Sequence, residues 1–525
     1  MKFLNRYYTD LAKKVREPVT YIAIRAIMLV MIAVIVKKSL VYDDWFWHVR
    51  SGEWVLKNGF IHNILFAWDT GDVAWIAHEW LFGVFSAVID GISHNLSVRV
   101  YIIATLVLFF ILFRYVRSQD GFRENMTRDI LLIIEIAGYC CMVNMRPQYL
   151  DILLLVTEVI LLEKSVYRKN GEKPLFVMPL IMLLWVNFHM GTAILMLFIF
   201  LVYLICNFFS MEIGRISFTK APVKWRTYAV LAFALTLAAA FVNPYGIEGV
   251  TYAFHNMGDQ TMLTLIREWH APDSKNIVLL LFYTLPMFLN FVSFAAYRGK
   301  IRATDIALYS MFSILYLRSV RFGSTLCIAG ILFTYRYGFD LKESMKCFGK
   351  GKKKRQVPAK GSRQICAVVS VLCAVWIIQF TCTTSFADIT GNRGNADTTI
   401  TCSNEVVDAV LKDQPERIYN DYDIGGYLIY HGISPFMYQC YEPFVKSPIY
   451  EDYLLLCSQY GADDIEDINR IDALIEKYDF DGYLILKGNY VLEDKILATG
   501  RVSLEAEDGH YRYYRVVESD RKEEE

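Results

Sequence analysis

Asp43-Asp44-Trp45-Phe46-Trp47-His48 begins where the first long apolar run, Tyr21 to Val41, ends. If that run spans a membrane, two carboxylates, an imidazole and two indoles emerge together at the water interface, where tryptophan favours headgroup depth and charges stay hydrated. Any loop leaving a membrane turns polar, so this stretch alone decides little. Repetition decides more. His78-Glu79-Trp80, Met145-Arg146-Pro147-Gln148, Asn187-Phe188-His189, Asn243-Pro244-Tyr245-Gly246, Glu268-Trp269-His270 and Arg318-Ser319-Val320-Arg321 also sit at the ends of apolar runs.

Composition sets the class. Hydrophobic residues make up 55% of the 525 positions, aromatics 15%, and mean hydropathy is +0.30, values of a polytopic membrane protein rather than a soluble enzyme. Charges balance at 54 against 54 but are unevenly placed, with basic loops and an acidic C-terminal third, and nothing points to nucleic acid. The eleven cysteines show no metal-ligand spacing. Cys402, Cys440 and Cys457 lie in the polar C-terminal part, where a disulfide can form if that part is extracytoplasmic.

The positive-inside rule orients the runs. Lys2, Arg6, Lys13, Lys14 and Arg16 hold the N-terminus in the cytoplasm, so the first span, kept as an anchor, delivers Asp44 outside. The basic loop Arg114 to Arg128 must then be cytoplasmic, which requires that only one of the next two apolar runs crosses. The crossing falls to Val98–Phe113 and leaves Glu79–Ile92 as an interfacial helix. Spans continue at about 129–143, 149–162, a run ending at His189, 190–209, 227–242, 277–296, a run ending at Arg318, its return, and 364–386, about eleven in all. Every unusual motif then faces one side. Every strongly basic loop faces the other, except the Arg318 and Arg321 pair, which invites an anion such as phosphate or pairs with external carboxylates.

Residues 387–400 read as a linker and 401–517 as a small soluble α/β domain: strands at Arg417–Asp421 and Gly482–Leu486, helices at Ile468–Tyr478 and Val491–Thr499, and a hairpin at Val502–Val517. The acidic tail 518–525 reads as disordered. No P-loop, complete Rossmann glycine pattern or Ser-His-Asp signature is present.

Taken in order, the acidic-Trp-Trp-His stretch after the first span, His-Glu-Trp-Leu, Arg-Pro-Gln, Trp-x-Asn-x-His, Asn-Pro-Tyr-Gly, Glu-Trp, and Asn-Asp-Tyr-Asp-x-Gly-Gly-Tyr-Leu in the tail resemble a widespread group of uncharacterised bacterial polytopic membrane proteins. That group is similar to GT-C glycosyltransferases. The resemblance implies a multi-pass enzyme of the bacterial plasma membrane, with residues 1–386 as a GT-C-like domain, a polyprenyl-phosphate sugar as donor, membrane lipid around it, and an extracytoplasmic glycan, lipid or protein as acceptor. It also implies an essential aspartate in the first external loop, a position that Asp44 takes here. Tyr42 stands where the group often carries an acid, so an Asp-x-Asp metal clamp is incomplete.

The chemistry of such a transfer assigns roles. Asp44, His48 and Glu79 form the catalytic set, and Arg146, Arg318 and Arg321 bind the donor phosphate. Asp43, Trp47, His78, Gln148, Asn187, His189, Asn243 and Glu268 line the substrate pocket. A divalent metal ion is chemically open to the histidines with a carboxylate, but the spacing matches no zinc motif and hydrogen-bonding roles are favoured. Asn187 and Asn243 have a second reading, as ties for irregular helix ends. A transporter or lipid flippase, with Glu135 and Glu158 as its intramembrane acids, and an envelope assembly scaffold are the competing classes.

Overall fold

The computed structural model describes residues 44–69, 73–118, 126–142, 144–167, 171–258, 266–297, 299–337, 404–445, 447–457 and 465–517. The expected first and last spans, Asp43, Cys402, the basic run at 350–363, the linker and the acidic tail lie outside them.

Helix α1 (Trp45–Asn58) starts within the acidic-aromatic stretch, with Trp45 to Val49, Ser51 and Gly52 buried. Asp44 is its N-cap residue but makes no side-chain cap bond, so its carboxylate is left for other partners. Helix α2 (Trp80–Ile92) lies against α1 backbone to backbone. A β-carbon on Gly52 would fall 2.0 Å from the Gly83 carbonyl oxygen, and one on Gly83 would fall 3.0 Å from the His48 carbonyl oxygen. No side-chain rotation relieves such a clash, so the crossing needs glycine at 52. The crossing also brings His48 to Glu79, the residue that precedes α2. With 13 residues, α2 is about 20 Å long, short of a hydrocarbon core of about 30 Å.

The bundle continues through α3 (His94–Arg117), α4 (Met126–Met142), α5 (Gln148–Tyr167), α6 (Met178–Phe188), α7 (Met190–Cys206), α8 (Val223–Ala240) and α9 (Gly246–Gly258). It ends with α10 (Ile277–Ala296), α11 (Ala303–Arg318) and α12 (Gly323–Ala329). His94–Val116 and Ile277–Ala296 are long and apolar enough to cross a membrane, with hydropathy 2.5 and 2.1, and less than half of either is buried in the protein. Phe110, Leu180, Leu184, Val230, Leu235, Phe288 and Ile314 are all exposed. A soluble protein does not keep so much apolar side-chain area in water, whereas lipid accepts it, and we read the bundle as membrane-embedded.

Two features depart from the sequence pattern. Helix α5 runs past Leu162 to Tyr167 because Glu163, which interrupts the apolar run, is paired with Arg302 and stays buried. A three-stranded sheet, β1 (Met211–Ile213), β2 (Ile216–Phe218) and β3 (Ile301–Arg302), joins two loops that carry only a basic signature in the sequence, with Gly214 at φ 57° turning the hairpin.

Beyond the bundle come α13 (Asn404–Asp413), β4 (Ile418–Asn420), α14 (Gly425–Tyr430), α15 (Pro448–Leu456), α16 (Ile465–Tyr478), β5 (Gly482–Leu486), α17 (Tyr490–Ala498), β6 (Val502–Glu507) and β7 (Tyr511–Val516). The sheet order is β4-β5-β7-β6, with β4 and β5 parallel and the other pairs antiparallel. This α/β unit does not stand apart. Trp47, Ile61, Ile64, Trp75 and Ala77 share one buried cluster with Tyr419, Phe436, Tyr438 and Tyr483. The Trp68 indole also donates to the Ile418 carbonyl at 3.0 Å. Cys440 and Cys457 are both buried, and no disulfide joins them.

The glycine crossing is testable. Gly52→Ala should cost about 1–3 kcal/mol or prevent folding, read as thermal unfolding in detergent. Gly91→Ala on the same α2, where an added methyl meets nothing within 4 Å, should be neutral.

Candidate active site

Three imidazoles from separate parts of the chain converge on Glu79. From α1, His48 Nε2 lies 3.1 Å from Glu79 Oε2. His78 Nε2 lies 3.5 Å and His189 Nε2 3.2 Å from the other oxygen, Oε1. His189 reaches in because α6 ends at Phe188 and α7 starts at Met190, leaving it in a non-helical conformation (φ −158°, ψ 86°). Its second ring nitrogen, Nδ1, is 2.5 Å from Asp151 Oδ2 in the first turn of α5. One turn before His48, Asp44 Oδ2 meets Arg146 Nε at 2.8 Å, and Arg146 Nη1 donates to Glu268 Oε1 at 3.0 Å.

Charge is partitioned between the two carboxyls of the α1–α2 corner. Burial lifts the Asp44 carboxyl above the usual carboxylate range, against the pull of Arg146 and His48. Burial acts on Glu79 in the same sense, but His78 and His189, with hydrogen bonds from His48 and His78, hold it well below that range. Burial would lower His78, yet Glu79 and Glu442 leave it raised on balance. Arg146 keeps Glu268 low. A carboxyl raised by burial thus sits close to one that its imidazole partners hold well below the usual range, the kind of split environment from which acid and base roles are made.

No family model matches the chain. No curated protein matches it either. Among solved structures it is similar to the archaeal oligosaccharyltransferase AglB from Archaeoglobus fulgidus in complex with an inhibitory peptide and a dolichol-phosphate. The TM-score is 0.48 at 10% identity, over 87% of this chain and 69% of that one.

Of the residues singled out in the sequence, Asp44, His48, Glu79, Arg146, His78, His189 and Glu268 are brought together as described. A cavity of about 80 Å³ beside them is lined by His78, Gln148, Asp151, His189, Trp269 and Arg321, among others, while Asp44, His48, Glu79, Arg146 and Glu268 are not in its wall. Arg321 stands over the Trp269 ring at 5.4 Å. Its turn is fixed by Ser319 Oγ, which donates to the Glu268 carbonyl at 2.9 Å.

Two assignments need correction, and two asparagines take the second of their readings. Arg318 is exposed at the end of α11 and is not among the residues lining the cavity, because the chain breaks at Ser319 before the turn that carries Arg321 inward. Trp47 is a packing residue, with its ring 5.9 Å from Trp75 and 6.4 Å from Tyr438. Asn187 spends its amide on the Leu183 and Val242 carbonyls and accepts from the Trp80 indole at 3.1 Å. Asn243 bonds the Ala240 and Gly246 carbonyls and the Tyr245 amide. Both asparagines tie helix ends, the second of their two readings, and both also border the open groove along Trp80 and Phe241. Asp151, Tyr252 and Glu442 also line the cavity and were missed. The first sits inside an apolar run, and the other two lie in segments with no local motif. The carboxylate one turn after Gln148 is the signal that could have found Asp151.

The His189 geometry bears on metal binding. If its Nδ1–H donates to Asp151, its Nε2 turns a lone pair toward a Glu79 oxygen 3.2 Å away, and a cation must lie between them. That cation is a second ring proton or a metal ion. His78, Glu79 and His189 each place a ligand atom within 4.8 Å of the others. Adjacent ligands about 2.1 Å from one ion stand about 3.0–3.4 Å apart, close to the separations to Glu79 Oε1. Asp151 supplies the outer carboxylate that commonly orients a ligating histidine. The residues therefore fit a divalent ion.

Arg146→Met should destabilise the fold by about 1–3 kcal/mol, less than for a fully buried pair because Glu268 is part-exposed. Adding Asp44→Asn should recover part of that loss in thermal unfolding, since the uncompensated charge is removed.

Proposed function

We propose that this protein is a membrane glycosyltransferase, moving a sugar from a polyprenyl-phosphate donor to an acceptor hydroxyl or amide on the extracytoplasmic side. The observation that carries the reading is the Asp44–Arg146 pair, 2.8 Å apart, beside the ionised Glu79 cluster and a cavity that Arg321 faces. In the proposed step the acceptor atom attacks the anomeric carbon and its proton passes to the Asp44 carboxylate. The bond from that carbon to the phosphate oxygen breaks, and the lipid phosphate leaves toward Arg146 and Arg321. The raised Asp44 carboxyl suits it to accept that proton. A divalent ion held by His78, Glu79 and His189, when bound, would neutralise phosphate charge.

The cavity, at about 80 Å³, has room for an ion and a few waters but not for a sugar phosphate, so the donor head would sit at its mouth. An open apolar groove of about 860 Å³ runs along Trp80, Leu180, Leu184 and Phe241. It reaches Trp80, next to Glu79, and suits a polyprenyl chain. Of the two acids on which the transport reading stands, Glu158 is buried with neither carboxylate oxygen hydrogen-bonded among the described residues, whereas Glu135 is absorbed by its neighbours. Glu135 accepts from Asn290 at 2.7 Å, and Asn290 is bound in turn to Tyr309 and Thr334, a closed network rather than a path.

Membranes holding the Asp44→Asn protein at wild-type level should lose at least about 10²-fold of the transfer of labelled sugar from polyprenyl phosphate. Equal rates would remove the mechanism. Asp151→Asn should weaken Mn²⁺ or Zn²⁺ binding about 10–100-fold while the protein stays folded, measured by calorimetry on purified protein. The proposed topology places residues 355 and 450 on opposite sides, which cysteine labelling of intact and opened cells can check.

A further inference from the structure

Helix α5 carries a second polar end. Gln148 lines the candidate active site, and nineteen positions later Tyr167, about 30 Å along the helix, lines a different cavity of about 470 Å³. Its walls are Arg114 and Tyr115 from α3, Glu163, Lys164 and Tyr167 from α5, and Arg302 before α11. Arg302 Nη1 donates to both Glu163 oxygens, at 3.2 and 3.1 Å, and its guanidinium lies 3.8 Å over the Tyr167 ring. Behind this wall Arg336 approaches Glu163 at 3.7 Å and Asp305 at 3.4 Å. Among the described residues, three cations, Lys164, Arg302 and Arg336, thus stand against two carboxylates, Glu163 and Asp305, and Arg114 lines the cavity beside them. Tyr115, only 7% exposed, has a hydroxyl with no hydrogen-bond partner among the described residues. A buried donor in a cavity with surplus positive charge calls for an anionic ligand with acceptor oxygens.

We propose that this cavity binds the phosphate headgroup of an anionic phospholipid, in the leaflet opposite the candidate active site. Arg302, Lys164 and Arg114 meet the phosphate oxygens and Tyr115 donates to one of them. Ile103, Val107 and Phe110, all exposed, lie at three- and four-residue spacing up α3 from the cavity and provide an apolar track for an acyl chain. A soluble phosphate has no use for that track, which is why a lipid is chosen.

The test is binding alone and is independent of transfer activity. The purified full chain is placed in nanodiscs of phosphatidylcholine, with or without phosphatidylglycerol, and lipid retained after extraction is counted by native mass spectrometry. Saturable retention of phosphatidylglycerol over phosphatidylcholine is expected, with a loss of about fivefold for Lys164→Gln and more than tenfold for Arg114→Gln with Lys164→Gln. If the double variant fails to fold, Tyr115→Phe, which removes only the donor, should still lower retention. Equal retention of the two lipids, or wild-type retention in these variants, overturns the proposal. So does displacement of the lipid by millimolar inorganic phosphate, which would make the site one for a soluble anion.

Discussion

The Glu79 carboxylate is the point on which the site depends. It lies in a buried corner where three imidazoles, from α1, from the residue before α2, and from the break between α6 and α7, are each within 3.5 Å. An ionised carboxylate is tolerated out of water only when its oxygens are met by donors or cations. Those partners come from elements far apart in sequence, so the helices must be in register before the charge can be buried. The bundle and the ionisation state of the corner therefore specify each other.

What the sequence made legible was which motifs gather together more than the shape of the pocket. Polar motifs at the ends of apolar runs, counted against basic loops, grouped Asp44, His48, Glu79, Arg146, His189, Glu268 and Arg321, and these residues do lie at one corner. The strands and helices of the C-terminal unit were also legible, since short alternating and helical apolar patterns are local signals. The errors are of a different kind. Asn187 and Trp47 carry the residue types of a binding site, yet one satisfies helix-end carbonyls and the other fills an aromatic core, a distinction that needs three dimensions. Asp151 was hidden in the opposite way, as a polar residue inside a span whose partner, His189, lies 38 residues on.

Buried acids elsewhere in the bundle show why a carboxylate in an apolar run is not by itself a functional mark. Glu135 is absorbed by a network with Asn290, Tyr309 and Thr334. It also lies so close to Gly330 that a methyl group there would fall 2.0 Å from its Oε1. Glu163 anchors Arg302 and Arg336. These acids hold helices to one another, whereas Glu79 lines one small cavity and two of its imidazole partners, His78 and His189, line another.

The aromatic surface shared by Trp47, Trp75, Tyr419 and Tyr438 bears on the order in which the molecule can be completed. During synthesis the residues from 44 to 77 appear early, while the strands and loops that cover them are among the last to be made. Until then the indoles behind His48 have no roof, and Glu442 has not reached the cavity. A chain stopped before residue 419 would leave the aromatic face at this corner uncovered. The tail thereby makes completeness of the chain a condition for assembling the site.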